Sequence, residues 1–575
     1  MRIKHFFGLA VIAAMTASCS SNNDLVNGGN GSGENESGAS YASFSITLPT
    51  TSGTRADDDP TFTKGDINEY KVNNATLLIF KKEGEATKEG EYTFVEQAEL
   101  GSMAPWKDPT ETGVTTHAKI TAKLEKVDKT GNFFALVLLN NGTGTTNTKV
   151  TLPSEGEKFS EWNVAAKATE NFTTIDNGFY MANAPLFDKD NTTKVTTLVA
   201  INKDNIYPTE EQAAKGTATD IYVERGLAKV TLGTGTAEEK TVAGVTYKGD
   251  NVKINNWALE VTNKNTFPIH NVDGLSDDYT NIWSNTNTAS TINNATNQRF
   301  VDNKTDTKVK RVYWGKDPNY SNTDADKSVL KDEFNYIKNK DVTVEPSKPL
   351  YCLENTFNLA NMMQGQTTRV VFKATYKPAS LPEGETTFYK IGKNTAIWRE
   401  TNLEDEIKAA VASVVPGATV GNTSVNLKAE GNDITAAGTH YIEAANITVP
   451  SVETETITNN INAINTQLGL NKDKKVGIST YASGESYYIA RIKHFGDDLT
   501  KWESGPYDEK NLEYLGRYGV LRNNWYELTV QSVSGPGYPS VPDVKPNTPD
   551  DEDDKYINVS VKILDWAKRS QKVDL

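Results

Sequence analysis

Cys19 is the first residue whose surroundings indicate covalent chemistry. It follows a basic start, a short apolar run at 6–15 and three small residues at 16–18. That order is typical of a secretory signal, and a cysteine directly after it is the residue that bacterial lipoprotein processing joins to a diacylglycerol. We therefore expect residues 1–18 to be a signal peptide and Cys19 to carry palmitate-type acyl chains. An ordinary signal peptide with an incidental cysteine is the alternative.

Catalytic patterns are absent from the rest of the sequence. It has no G-x-S-x-G elbow, Walker loop, H-E-x-x-H, C-x-x-C or G-x-G-x-x-G motif. Five scattered histidines give no metal-ligand spacing, and the acidic runs 57–59 and 550–554 lack the glycine turn of a calcium loop. Cys352 stands between apolar neighbours, so we expect a buried, inert thiol. The sequence predicts a protein that is not an enzyme and has no cofactor and no metal.

Composition narrows the class of partner. The chain has 575 residues, 37% of them hydrophobic, with 60 basic against 75 acidic side chains and a net charge of −15. Nucleic-acid binding needs a basic face, so no nucleic acid is expected as a partner. No run of about 18 apolar residues indicates a transmembrane helix.

The elements that would position any site are mostly strands. Runs rich in Thr, Val, Ile and Tyr alternate with polar residues, and Asn, Asp and Gly fill the gaps between them. The strongest predicted strands are Phe133–Asn140, Ile221–Leu232, Trp257–Asn263, Arg369–Tyr376, Ser486–Phe495 and Asn523–Val533. Helical periodicity predicts only two helices, Leu403–Val414 with Asn402 as its N-cap and Thr456–Leu468.

Two further strands stand near the ends of the chain and share one pattern. Near the start, four apolar residues alternate with Ser and Thr, and near the end four more alternate with polar residues after a Pro/Asp-rich linker. Because they match in length and period, the two strands could compete for one groove. The first set, the leader strand, is Ala42, Phe44, Ile46 and Leu48, and the second, the donor strand, is Ile557, Val559, Val561 and Ile563.

These features predict an all-β fold with minor helical insertions, built as two tandem Greek-key-like β-sandwich domains plus a C-terminal donor-strand segment. The predicted division is a signal peptide 1–18, a propeptide with the leader strand 19–55, an N-terminal sandwich 56–234, a C-terminal sandwich 235–544, and an acidic linker with the donor strand 545–575. The segment 378–470 is read as an insert of unassigned role.

Four passages carry a resemblance to a known family. They are GTRADDDP (53–60), the group FFALVLLNN, FYMANAP and VERGLAKVTL (133–141, 179–185, 223–232), YGVLRNNWYELTVQSVSGPG (518–537), and the linker ending in YINVSVKILDWAKRSQKVDL (556–575). The chain resembles the Bacteroidales fimbrillins of the short-fimbria major subunit type. The resemblance implies a surface pilus subunit that reaches the outer membrane as a lipoprotein, loses its N-terminal segment to an arginine-specific protease, and accepts a C-terminal strand from another subunit.

The residues fit this implied mechanism. Arg55 is the first Lys or Arg after Cys19, so an arginine-specific protease would meet one obvious site in a Gly/Thr loop, between Arg55 and Ala56. The cut would remove the lipid anchor and release the leader strand from its tether. The implied partners are copies of the same chain in a fibre, anchor and tip subunits, the protease, the outer membrane before cleavage, and a surface receptor that the sequence does not identify.

Two alternatives stay open beside a stalk subunit of a cell-surface fimbrium. One is a monomeric surface lipoprotein that binds glycans, for which the nine Trp and 24 Tyr supply aromatic side chains. The other is a tip or accessory fimbrial subunit. A donor tail and a removable leader favour the stalk over a membrane-proximal anchor. A glycoside hydrolase has little support from the sequence.

Overall fold

The computed structural model describes most of the 575 residues. The described ranges are 38–49, 69–101, 114–142, 148–188, 195–272, 309–312, 314–319, 327–356, 361–494, 516–546, 548–549, 557–564 and 569–570. Cys19, Arg55 and Ala56 lie outside these ranges.

Strands dominate the described residues, and their bounds in chain order are as follows. In the first part of the chain they are β1 Ser40–Pro49, β2 Ala75–Lys82, β3 Thr93–Glu99, β4 Val114–Leu124, β5 Asn132–Leu139, β6 Ala166–Lys167, β7 Met181–Asn183, β8 Leu186–Asp188, β9 Val195–Thr196, β10 Val199–Ala200, β11 Thr219–Arg225, β12 Ala228–Leu232, β13 Lys240–Thr241, β14 Asn251–Glu260, β15 Thr262–Asn263 and β16 Asn265–Thr266. In the second part they are β17 Val309–Arg311, β18 Phe334–Asn335, β19 Leu350–Cys352, β20 Arg369–Lys377, β21 Phe388–Ile391, β22 Ser424–Val425, β23 Lys428–Ala429, β24 Asn432–Asp433, β25 Gly438–His440, β26 Ile447–Thr448, β27 Ile478–Tyr481, β28 Glu485–Arg491, β29 Trp525–Val533, β30 Ile557–Leu564 and β31 Arg569–Ser570.

Helices are few and mostly short. They are α1 Phe159–Trp162, α2 Glu170–Thr173, α3 Glu210–Lys215, α4 Lys327–Glu333, α5 Glu400–Val414 and α6 Thr454–Gln467. Among the described helices, none is both long and apolar enough to cross a membrane. The prediction of a β-rich fold with minor helical insertions is confirmed.

The three largest sheets of the described residues contain most of the longer strands. An eight-stranded sheet has the order β3-β2-β5-β7-β11-β1-β4, with β10 paired to β5 beside this path. A five-stranded sheet has the order β19-β12-β29-β30-β31, and a four-stranded sheet has the order β13-β14-β20-β28. The buried apolar residues of the first sheet form one core, and those of the other two sheets form a second. The sandwich boundaries predicted at residues 234 and 544 stay predictions.

One predicted strand is two strands in the structure. The run Ile221–Leu232 is divided into β11 in the eight-stranded sheet and β12 in the five-stranded sheet, joined only by Gly226 and Leu227. A Cβ at Gly226 would lie 3.0 Å from the Phe172 ring, so the chain crosses between the sheets at a point where a ring packs against its backbone. The apolar residues lie at odd positions up to Leu227 and at even positions from Ala228 to Leu232. The alternation therefore changes phase at the crossing, a signal that the prediction of a single strand overlooked.

The insert forms a third, separate core. It joins β20 to β28, which are antiparallel neighbours in one sheet. The apolar faces of α5 and α6 pack there, with Leu403, Ile407, Ile457 and Ile464 buried. Both predicted helices are present, but Asn402 is not the N-cap: α5 begins earlier, and its N-cap is Arg399 without a capping side-chain hydrogen bond. The apolar periodicity predicted the position of the helix correctly. The predicted N-cap lies inside the helix, so the predicted start was too late.

Candidate functional site

The strand β1 fills a groove between two other strands of the first sheet. It pairs antiparallel with β4, where Phe44 faces Ile120, and parallel with β11, where Phe44 faces Thr219. We call the space between β4 and β11 that β1 occupies the leader groove. Backbone pairing on both sides makes β1 an interior strand of the sheet, although it comes first among the described elements.

The inner face of β1 carries the predicted leader residues. Ala42, Phe44, Ile46 and Leu48 all have 0% exposure and belong to the first core. They share one face because alternate residues of a strand point to the same side. Burying four apolar side chains at about 1.5–3 kcal/mol each contributes roughly 6–12 kcal/mol before conformational entropy is considered.

The outer face of β1 is not uniformly open, as simple alternation would suggest. Ser45 and Thr47 are half-buried, but Ser43 is fully buried beneath α3. The Ser43 hydroxyl donates to the Ala213 carbonyl at 2.7 Å and lies 2.8 Å from the Thr121 hydroxyl of β4. The sequence reasoning missed α3, although Thr209 followed three residues later by Gln212 is a helix-start signature.

Glu69, the first residue described after β1, is held by contacts with strands other than β1. Its carboxylate accepts from Lys229 Nζ of β12 at 2.5 Å and from the Tyr351 hydroxyl of β19 at 2.7 Å. Its carbonyl accepts from Arg225 Nε at 2.7 Å. The three partners belong to β11, β12 and β19, so these contacts of Glu69 do not involve β1.

The predicted donor residues lie on β30, which pairs within its own chain. β30 runs antiparallel to β29, with Val559 facing Val530, Val561 facing Leu528 and Ile563 facing Tyr526. On its other side, within the described part of the chain, β30 pairs only with the two-residue β31. The structure therefore has the leader strand and the donor strand in different sheets.

The remaining candidates for chemistry fall in the core. Cys352 is buried in the second core, and burial raises the pKa of its thiol to about 12, so the thiol stays protonated. Within the described ranges, no three His, Cys, Asp or Glu side chains converge as a metal site requires.

A substitution on the inner face of β1 is expected to destabilise the uncleaved protein. Phe44→Ala should lower the free energy of unfolding by about 3–5 kcal/mol, because it leaves a cavity at a fully buried ring. Ser45→Ala, one residue along on the half-buried face, should change it by less than about 0.5 kcal/mol. Urea unfolding of the two variants measures the difference. Equal effects would contradict the observation that Phe44 lies on the buried face of β1 and Ser45 on the half-buried face.

Comparison with known proteins finds similarity to solved structures and, for the C-terminal segment, to a family model. Among proteins with curated descriptions, none matches. Solved structures with partial similarity include two Parabacteroides distasonis proteins provisionally assigned to cell adhesion. They are 11% and 12% identical, with TM-scores of 0.38 and 0.31, and each match covers 92% of this chain and 99% of the other. A fimbrial assembly protein of the same organism is 10% identical, with a TM-score of 0.23, and covers 40% of this chain and 66% of its own.

The family comparison is specific to one segment. Residues 479–572 match the model described as "Major fimbrial subunit protein type IV, Fimbrillin, C-terminal". This segment contains β28, β29 and β30. It includes the whole of the passage 518–537 and all but the last three residues of the passage 556–575. The match confirms, for this segment of the chain, its similarity to the fimbrillins.

Proposed function

We propose that the chain is a stalk subunit of a cell-surface fimbrium, exported as a lipoprotein, cleaved after Arg55 by an arginine-specific protease, and polymerised by strand exchange. The burial of β1 between β4 and β11 carries this proposal. In the sequence, Arg55 lies between Pro49, where β1 ends, and Glu69. A cut there separates β1 from the fold that surrounds it.

The effect of cleavage on the leader groove is kinetic and entropic. Before the cut, β1 is part of the same molecule and is present at a high effective concentration, on the order of mM. After the cut, the same strand is a separate peptide that can leave and be diluted. The groove that remains has two open strand edges and a row of apolar sites, which is the kind of surface that an added strand occupies.

The C-terminal strand of a second copy is the proposed replacement. Its apolar set of Ile, Val, Val and Ile resembles the Ala, Phe, Ile and Leu of the leader in length and period. In its own chain β30 has one long partner strand, β29, and the leader groove offers two, β11 and β4. More backbone hydrogen bonds in the groove favour transfer of the strand to the neighbouring subunit.

The test of this function is electron microscopy of the purified full chain before and after treatment with an arginine-specific protease. We expect fibres and heat-stable ladders on gels only after treatment. A protein that stays monomeric after complete cleavage and binds a glycan array would favour the alternative of a glycan-binding lipoprotein. We propose adhesion as the role of the fibre.

Lipidation of Cys19 is a separate prediction of the proposal. Cys19→Ala should abolish incorporation of labelled palmitate and leave the precursor out of the outer membrane, because the thiol is the attachment atom. Cys352→Ala serves as the control and should label normally, since its thiol is buried and protonated. Unchanged labelling of the Cys19→Ala protein would contradict the proposal that Cys19 is lipidated.

A further inference from the structure

The segment Thr209–Gly216, which comprises α3 and its two cap residues, crosses over the outer side of the leader groove. At its end the chain leads within three residues into β11, one rim of the groove. Towards the other rim, β4, it accepts two hydrogen bonds from Lys119 Nζ, to the Ala214 carbonyl at 2.9 Å and to the Gly216 carbonyl at 3.0 Å. We call this segment the bridge.

Specific contacts stabilise the bridge at both of its ends. The Thr209 hydroxyl accepts from the Gln212 amide at the start of the helix, and the lysine satisfies carbonyls that the end of a helix leaves open. A Cβ at Gly216 would lie 2.3 Å from the Tyr207 ring, so only glycine fits this turn. Tyr207 in turn pairs with Tyr41 of β1 through two backbone hydrogen bonds of 2.8 Å.

The rim β4 depends on the leader strand for its place in the sheet. Among the described strands, β4 pairs only with β1. When β1 leaves, β4 retains the two bonds from Lys119 to the bridge, and its far end retains the Glu96 carboxylate, which accepts from the amides of Glu125 and Lys126 at 2.9 Å each. Lys119 is near the middle of β4. Its bonds to the bridge can therefore keep β4 and β11 separated by the width of one strand.

The bridge also limits what can lie beneath it. Ser43 and Ala213 both have 0% exposure, and the Ser43 hydroxyl is only 2.7 Å from the Ala213 carbonyl. A longer side chain at this position would have to displace α3. The outer face of the groove therefore admits a small polar side chain at one position and is more permissive at the neighbouring Ser45 and Thr47.

We infer that the bridge holds the emptied leader groove at the width of one strand and selects an incoming strand with a small side chain beneath α3. This inference rests on the proposed strand exchange and adds a selection rule to it. In the C-terminal strand the residues that alternate with the apolar set are Asn558, Ser560 and Lys562. Ser560 matches Ser43 in size and can lie beneath α3, whereas Asn558 is longer and Lys562 is excluded by its length and charge.

The rule can be tested with the full chain cleaved after Arg55 and separated from its leader, using the synthetic peptide of residues 40–49 as the probe. The Ser43→Leu peptide should bind at least about tenfold more weakly than the natural peptide, since it overpacks a closed site. The Ser45→Leu peptide should stay within about threefold, as expected at a half-exposed position. Equal binding of the Ser43→Leu and natural peptides would overturn the selection rule.

A second comparison tests the spacing role. Lys119→Met keeps the length of the side chain but removes the bonds to the bridge, and we expect about threefold to tenfold weaker peptide uptake. Lys203→Met is the matched control, because Lys203 also donates to a backbone carbonyl, that of Thr130, away from the groove. Uptake by the Lys119→Met protein equal to that of the wild type would overturn the spacing role and leave strand exchange intact. If the wild-type protein itself takes up no peptide, strand exchange fails and the bridge has no role in it.

Discussion

An Arg55→Ala protein is expected to be exported and folded but to remain monomeric. Without a cut between Arg55 and Ala56, β1 stays covalently attached and keeps the leader groove filled. Gels of the unheated protein should then lack the ladder seen with the wild type, and electron microscopy should find no fibres. N-terminal sequencing of wild-type fibres should begin at Ala56.

The size of this effect follows from effective concentration. A tethered strand competes at about mM concentration against subunits present at about μM, a preference of about a thousandfold or about 4 kcal/mol. Leader and donor carry apolar sets of the same length and period, so we expect their intrinsic affinities for the groove to differ by less than this. The covalent link therefore decides which strand occupies the groove.

Two neighbouring variants sharpen the result. Lys64→Ala removes the next basic residue in the sequence and should polymerise normally. Arg55→Lys should behave like Arg55→Ala if the protease is specific for arginine. An Arg55→Ala protein that polymerises at the wild-type rate would contradict the proposed switch.

Local sequence patterns predicted the strands well because period-two burial is a local property. The leader set, the two insert helices and the strands around Phe133 and Arg369 are all readable from alternation or helical spacing. These features depend on which face of a single helix or strand is buried, and the spacing of apolar residues along the sequence indicates that face directly.

Contacts between distant segments could not be predicted in this way. Ser43 is polar and alternates with apolar residues, yet it is fully buried because α3, some 170 residues later, lies over it. The buried pair of Glu69 and Lys229 likewise joins residues far apart in sequence. A single charged residue or hydroxyl in the sequence does not indicate which residue it contacts. The bridge and the contacts of Glu69 are therefore visible only in the structure.

The second large effect is expected in the donor strand. Val561→Asp should block assembly, because it would bring an unpaired carboxylate into an apolar groove at a cost of about 3–5 kcal/mol. Lys562→Asp, at a polar position that alternates with the apolar set, should assemble nearly as the wild type does. Size-exclusion chromatography of the protease-treated proteins measures both.

Removal of the donor tests whether the strand is needed by its own subunit. A chain lacking residues 556–575 should remain a folded monomer that cannot extend a fibre. β30 pairs with β29 in the isolated chain, so the deletion exposes an edge of the five-stranded sheet, and thermal unfolding should show a lower midpoint with a retained cooperative transition. Loss of that transition would assign β30 to its own core and contradict donation.

Mixing the two defective proteins gives the sharpest test of strand exchange. Cleaved Val561→Asp protein has an open groove but no usable donor, and Arg55→Ala protein has an intact donor but a filled groove. Each alone should stay monomeric, and together they should form a one-to-one dimer that grows no further, because the groove of one copy and the donor of the other are used once. Fibres from either protein alone would show that another segment links the subunits. A mixture that stays monomeric would show that the C-terminal strand does not enter the leader groove.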